Sequence, residues 1–351
     1  MRARVPFAER GGAIRGAIDL AFGRYPRFAF GGPIASDLLP VFHFHDVTVD
    51  DLEPKLRYLA ENGYRTVSAD DIEGFAAGRV RLDGRRVGLC FDDAWASLWT
   101  VAAPLLKQYG LMAITYVIPA RLSESEGSSF ATWPQLAALQ SSGLVDIQSH
   151  TDSHSMVFCG DEIVDFVTPS YRDTPLLNRP QLTPAPALRF MSGDDLGAPL
   201  YVARSRMSAA RRVHVPAAAY ERCVAHVRSE GGPSFFDRPS WRAKLQELAG
   251  RGESTPETGA ERQHAIEDEL DRSRSILSDR FKTRVDHLCL PWGVSCESTA
   301  AAARRIGYRS AIANRWRGVM AVRRGDDRFW LKRLPNRYIF RLPAARRSMS
   351  A

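Results

Sequence analysis

The sequence predicts an α/β fold built on a parallel sheet or barrel. Three observations lead there. Short apolar runs alternate with helical stretches over residues 40–155, the same alternation resumes over 261–313, and the helical stretches carry recognisable caps and glycine stops. At 351 residues, with 44% hydrophobic and 25% charged side chains, the chain is long enough to bury a sizeable core, which excludes the disordered and mini-protein classes.

Residues 41–45 (VFHFH) read as a strand, and 50–62 as a helix with Leu52, Leu56 and Leu59 on one face and Gly63 as its stop. A short strand at 65–67 leads to Ser68, the cap of a helix through Ala76 whose first turn carries Asp70, Asp71 and Glu73. Residues 86–91 (RVGLCF) form a strand that ends in two aspartates. A helix over 96–109 stopped by Gly110, a strand over 112–118, a helix over 132–140 with Thr132 as N-cap and Pro134 in its first turn, and a strand over 145–149 complete the first half. The second half supplies a helix over 261–281, a strand over 285–290, a helix over 298–306 stopped by Gly307, a strand over 309–313 and a last extended piece over 329–334. Without that last piece the strands number seven.

Between 158 and 259 the periodicity fails for about a hundred residues, with helical patterns only near 220–228 and 241–248. This stretch reads as an insertion, either a substrate-facing cap or a packed appendage. The organisation expected is an N-terminal extension over 1–39, the first part of a barrel over 40–157, the insertion over 158–259, the second part of the barrel over 260–340 and a basic tail over 341–351.

Glu9, Arg15, Asp19, Arg24 and Arg27 interrupt the first forty residues, leaving no uninterrupted apolar run of the kind found in a secretory leader or a spanning segment. The expectation is a cytoplasmic protein, or one peripheral to the inner face of the membrane, with a short amphipathic helix over 13–22 packed on the body. Five cysteines (Cys90, Cys159, Cys223, Cys289, Cys296) form no CxxC pair, which argues against a disulfide framework or a zinc ribbon and for a reducing compartment. The formal charge is +8, from 48 basic and 40 acidic side chains. Residues 301–351 hold 14 lysines and arginines against Asp326 and Asp327, a local +12, so the rest of the chain carries −4. This basic segment, with Trp316, Trp330 and Tyr338, is a candidate contact for lipid phosphate or another anionic group. No nucleic-acid motif accompanies the charge, and no nucleic-acid partner is expected.

In α/β barrels the catalytic groups sit where strands end. The predicted ends carry His43 and His45, then Asp92 and Asp93, then His150, Asp152 and His154, which brings four of the eight histidines and an aspartate pair to one face. Adjacent carboxylates at a strand end point in different directions, so one can ligate a cation while the other faces a water. His150 and His154, four apart on a loop, can present imidazole nitrogens to one ion, and with one aspartate they make a two-histidine, one-carboxylate site with open positions. A cation held that way acidifies a water and polarises a carbonyl, which is metal-assisted hydrolysis.

Phe91-Asp92-Asp93 is similar to a TFDDG motif, and Ser149-His150-Thr151-Asp152-Ser153-His154 to an SHTxxHP motif. Leu290-Pro291-Trp292-Gly293 is similar to the end of an RxPYG motif, followed by a small-residue helix and Gly307-Tyr308, while Phe44-His45-Asp46-Val47 resembles an N-terminal YHxV segment. On these residues the chain resembles the polysaccharide deacetylases with a NodB-homology domain, carbohydrate esterase family four, over roughly 40–155 and 260–340. The resemblance implies a distorted (β/α)7 barrel interrupted by the insertion, in agreement with the seven strands counted from the pattern. It implies that Asp93, His150 and His154 bind one divalent metal ion, zinc in the first instance, with cobalt or nickel as the other candidates. It further implies that Asp92 is the general base, that His45 is the general acid for the leaving amine, and that the backbone N–H of Trp292, after Pro291, helps to stabilise the oxyanion.

Several residues depart from the family pattern. Cys90, Ala94 and Ser155 replace Thr, Gly and Pro of the motifs. Cys289 stands where the family often has the arginine that orients the base, and Arg333, in the RLPN segment, is the candidate substitute. His43 shares a strand face with His45 and reads as a packed, supporting histidine, with Asp46 and Asp286 as candidates to orient His45. Trp95 and Trp292 are candidates to stack on a sugar, whereas Trp99, inside a helix, is expected in the core. The function implied is a metal-dependent hydrolase that removes an N-acetyl group from an amino sugar on a polysaccharide, a glycan or a lipid-linked precursor. The cytoplasmic expectation favours the precursor, its phosphate held by the basic C-terminal region or by Arg204, Arg206, Arg211 and Arg212. Two other readings remain: hydrolysis of another C–N bond, a formamide or cyclic amide, on the same scaffold, and a catalytically weak carbohydrate-binding protein.

Overall fold

The computed structural model describes residues 25–173, 179–250, 253–313 and 319–345. The expected helix over 13–22, Trp316 and most of the 341–351 tail lie outside the described residues. The chain divides into two compact units, one formed by 154–266 and the other by the flanking chain up to 153 and from 267 onward. The smaller unit therefore starts four residues earlier and ends seven later than the insertion expected at 158–259. The difference arises because a long strand begins directly after the histidine loop and because the first two turns of the following helix belong to this unit.

The larger unit begins its regular structure with β1 (Val41–Phe44), α1 (Val49–Glu61), β2 (Arg65–Thr66) and α2 (Ala69–Ala76). Ser68 and Asp71 cap α2 reciprocally: the Asp71 N–H donates to Ser68 Oγ at 3.2 Å and the Ser68 N–H to Asp71 Oδ2 at 3.1 Å. β3 (Arg86–Asp92) is followed by a wide π-type turn at Leu98–Ala102 and then α3 (Ala103–Tyr109). The helix expected over 96–109 forms without a break, but its hydrogen bonding widens to the π type over Leu98–Ala102, just before Pro104, which has no N–H to donate and whose ring crowds the carbonyl of the preceding turn. The wide turn points Leu98 and Ala102 inward and leaves Trp99 at 36% exposure, which corrects its expected place in the core. β4 (Ala113–Val117), α4 (Trp133–Ser141) and β5 (Val145–Ser149) follow, with Thr132 and Gln135 forming the cap of α4.

The smaller unit contains β6 (Met156–Phe166) paired antiparallel with β7 (Pro199–Ser205), and α5 (Ala217–Ser229) against α6 (Trp241–Ala249). Phe166, Cys223, Val227, Phe235 and Leu245 form its core. Arg206, named above as a phosphate contact, is instead buried: its Nη1 donates to both oxygens of Glu257 at 2.7 Å, and the buried carboxylate demands that partner. Arg204 and Arg211 are exposed.

The chain then enters α7 (Gly259–Phe281), β8 (His287–Cys289), α8 (Glu297–Ile306), β9 (Ser310–Ile312) and β10 (Leu334–Pro335). The strands form one parallel sheet in the order β9-β8-β5-β4-β3-β1-β10, with β2 beside β3. All seven strands expected from the pattern are present, and the extended piece set apart from that count supplies the closure. Leu331 bridges Ile312 of β9, exchanging bonds with Ala311 and Ala313 at 3.1 and 3.0 Å, and Leu334 pairs with Phe42 of β1. Residues 331–335 thus touch both edges of the sheet and curl it into a distorted barrel.

The two-residue period of the strands sorts their side chains. Val41, Cys90, Ile114, Tyr116, Cys289, Ile312 and Leu331 fill the interior with α2, whereas Phe42, Phe44, Leu89, Phe91 and Ile147 face Leu52, Leu56, Leu106 and Leu136 of the surrounding helices. Part of the C-terminal positive charge is spent inside this unit. Arg305 pairs with Glu267, Arg309 with Asp70 and Glu73, Arg323 with Asp37, Arg328 with Glu73 and Arg333 with Asp92. Five of the fourteen basic side chains in this segment are thus matched by acids elsewhere in the unit.

Because Leu331 is 1% exposed and sits in the interior cluster, Leu331→Ala should lower unfolding stability by about 2–5 kcal/mol in urea denaturation. A loss within experimental error would mean that the closing segment is not part of the cooperative core.

Candidate active site

The site forms where β1, β3, β5 and β8 end. After β3, Asp92 and Asp93 are buried, at 3% and 2% exposure. Asp92 still belongs to the strand, while Asp93 and Ala94 turn to φ 70° and 56°, so the two carboxylates diverge. Side chains rarely adopt that left-handed backbone, and Thr151 (φ 66°), His154 (φ 55°) and Trp292 (φ 54°) share it. All but one of the described non-glycine residues with positive φ therefore lie in the three motif loops, where strain is held by the surrounding packing.

Asp93, His150 and His154 each offer one donor atom, and the three atoms lie within 4.8 Å of one another, all buried. His150 Nε2 is 3.3 Å from Asp93 Oδ1. His150 Nδ1 lies 2.6 Å from the Cys289 carbonyl oxygen, which can only accept, so Nδ1 carries a proton and Nε2 is the nitrogen turned to Asp93. The other Asp93 oxygen, Oδ2, accepts from the Trp95 indole N–H at 3.0 Å, and the Trp95 ring stacks on Phe130 at 4.9 Å. Two imidazoles and an oriented carboxylate at this spacing fit a divalent transition-metal ion.

The histidine loop is clamped by one face of α7. Glu269 accepts from the Ser153 N–H at 3.0 Å and from its hydroxyl, and Arg272 Nε donates to Asp152 Oδ2 at 3.1 Å. Ser273 Oγ lies 2.8 Å from Ser149 Oγ, which is in turn 2.8 Å from the Tyr308 hydroxyl. Asp152 is thereby tied to α7, away from the donor set, and burial pushes its carboxyl above the ordinary range. The sequence reading identified Gly307-Tyr308 without a role and missed Glu269, Arg272 and Ser273. Their spacing over positions 269, 272 and 273 places them on one helix face, but the pattern looks like any polar face until the loop is seen against it.

Arg333, carried inward by the closing segment, donates from Nη1 and Nη2 to the two oxygens of Asp92, each at 2.6 Å. Burial alone pushes the Asp92 carboxyl up, and the guanidinium more than reverses this, holding it well below the usual carboxylate range. Cys289, at the position where the family arginine was expected, is fully buried, and its carbonyl serves His150. His45 Nε2 lies 3.7 Å from Asp92 Oδ2, with the side chain 52% exposed. The His43 ring meets His45 edge-on at 5.6 Å, and burial together with the nearby Arg333 pushes its pKa down to about 3, so it stands neutral beside His45. Asp46 is exposed. Asp286 is not an orienting partner for His45: it stands before the start of β8, at the opposite end of that strand, and pairs with Arg274 at 3.0 Å and with Arg284. Pro291 and Trp292 form a tight turn after β8, the proline buried and the tryptophan half-buried.

Residues 79–172 match the family model described as polysaccharide deacetylase. The poly-beta-1,6-N-acetyl-D-glucosamine N-deacetylase of Escherichia coli (strain K12) is 32% identical over 124 residues, which cover 32% of this chain and 18% of that protein. The chain thus matches less than a fifth of this curated relative's length. Among solved structures, a de-N-acetylase from Aggregatibacter actinomycetemcomitans superposes with a TM-score of 0.54 at 18% identity, covering 85% of this chain and 94% of that one. The IcaB structure from Ammonifex degensii gives 0.51 at 18% identity, with 88% and 96% covered. These likenesses show a shared fold.

Two measurements probe the site without a substrate. Arg333→Gln leaves a buried carboxylate without its partner and should cost about 3–5 kcal/mol near neutral pH. The wild-type pair contributes above the unfolded aspartate pKa and is lost as pH falls through the depressed native value. The variant's deficit should therefore shrink in acid, and the Asp92 carboxyl, followed by carbon NMR, should titrate above the ordinary range instead of below it. Glu269→Gln and Tyr308→Phe should each weaken divalent-cation affinity about 10–100-fold in chelator competition. Unchanged affinity in both would remove the clamp from the account of the site.

Proposed function

We propose that this chain, whose barrel unit is a polysaccharide deacetylase domain, is a metal-dependent hydrolase that removes the acetyl group from an N-acetylated amino sugar and releases acetate. The observation that carries the reading is the adjacency of two differently built carboxylates: Asp93 with the imidazoles of His150 and His154, and Asp92 locked in the ionised state by Arg333. A divalent cation among Asp93, His150 and His154, zinc in this reading, supplies Lewis-acid polarisation of a water and of the amide carbonyl. Asp92 takes a proton from the attacking water. A carboxylate held so far below its ordinary range is a weak base, so it suits a water already made acidic rather than bulk water. His45, open to solvent beside Asp92, gives a proton to the departing amine as the C–N bond breaks. The Trp292 N–H lies in the turn after β8 and is our choice of donor to the developing oxyanion.

The amino sugar is carried on a glycan or on a lipid-linked precursor. The E. coli relative is named for poly-β-1,6-N-acetylglucosamine, and oligomers of that linkage are the first substrates to offer, with a lipid-linked sugar as the second. Acetate release from protein loaded with zinc, cobalt or nickel tests the reading. Asp92→Asn and His45→Ala should each lower kcat about 10²–10⁴-fold. Formate release from formamides without acetate release from sugars would move the assignment to another C–N bond, and sugar binding without turnover would make the protein a binding module.

A further inference from the structure

We propose that Cys289 forms, with Asp92 and His150, a second cation site that overlaps the first and selects thiophilic ions of the cadmium type. One donor atom from each of the three residues lies within 4.8 Å of the others, and all three residues are buried. Sulfur, nitrogen and oxygen donors around a four-coordinate ion stand about 3–4 Å apart, given bonds of about 2.0–2.5 Å, so the set comes within reach of one ion once Asp92 turns from Arg333. A thiolate prefers soft ions, whereas the first site offers no sulfur. Cys289 stands where the family pattern often has arginine, so the sulfur is a property of this chain.

His150 is common to both donor sets, so the two sites cannot be filled together. Asp92 also has to leave Arg333, whose two donors occupy both of its oxygens. The negative charge of a thiolate ligand then lies beside the Arg333 cation, which partly replaces the lost pair. On binding, the Cys289 S–H bond gives its proton to solvent and a sulfur–cation bond forms, with no change of oxidation state. Occupation removes His150 from the first donor set and Asp92 from its arginine. The inference depends on the proposed function only through the use of His150.

The test is a cadmium titration of the full chain, reading the ultraviolet thiolate-to-cadmium absorption and the zinc released from zinc-loaded protein. We expect one equivalent of cadmium to raise the band and release one equivalent of zinc. Cys289→Ser and Cys289→Ala should each lose one thiolate's share of that band, while Cys159→Ser and Cys296→Ser, at the two half-buried cysteines, should keep it. A band equal in wild type and both Cys289 variants, or cadmium uptake without zinc release, overturns the proposal. If the wild type takes up no zinc while the Cys289-dependent band persists, the first site fails and this one stands.

Discussion

The buried pair between Arg333 and Asp92 is the interaction on which the rest of the barrel's working end depends. It joins residues 241 positions apart and does so through both oxygens and both guanidinium nitrogens. A carboxylate at 3% exposure would otherwise be protonated or would open the structure to water, and the same bond that keeps it charged also fixes its orientation. The closing segment is therefore more than an edge strand: its backbone completes the ring and its side chain sets the electrostatics at the mouth.

The second constraint is the backbone of the motif loops. Asp93, Ala94, Thr151, His154 and Trp292 all hold left-handed conformations at a cost of about 1–2 kcal/mol each. Such turns reverse the direction of successive side chains within a residue or two, which lets Asp92 and Asp93 serve different neighbours. The conformations persist because hydrogen bonds from outside the loops hold them: Ala131 bonds the Ala94 carbonyl at 2.8 Å, and α7 holds the 149–153 stretch.

Strands, caps and the histidine and aspartate motifs were legible in the sequence because each rests on local chemistry. Ser68 and Thr132 cap their helices where a hydroxyl precedes an acidic or amide residue by three, and Gly110 and Gly307 end helices where only a left-handed residue fits. The wide turn before Pro104 was missed because hydrophobic periodicity continues through it. The role of the 331–335 segment was hidden for a different reason. Its two-residue pairing with β1 and its single bridge to β9 leave no strand-length pattern, and its weight comes from contacts with residues far away in the chain. The arginine-rich C-terminal stretch looked like a surface because composition cannot show that its acidic partners lie elsewhere in the same unit.

The chain position of Arg333 also bears on the order in which the domain matures. A ribosome delivers Asp92, Asp93 and the histidine loop long before residue 333 emerges, so any sheet the early strands form lacks both its closing segment and the guanidinium partner of Asp92. Commitment of that sheet to its final curvature coincides with arrival of the same few residues that hold Asp92 ionised. Premature termination upstream of the closing segment would yield a nascent chain with every motif residue in place and no means of setting their charge, which couples biosynthetic completeness to competence.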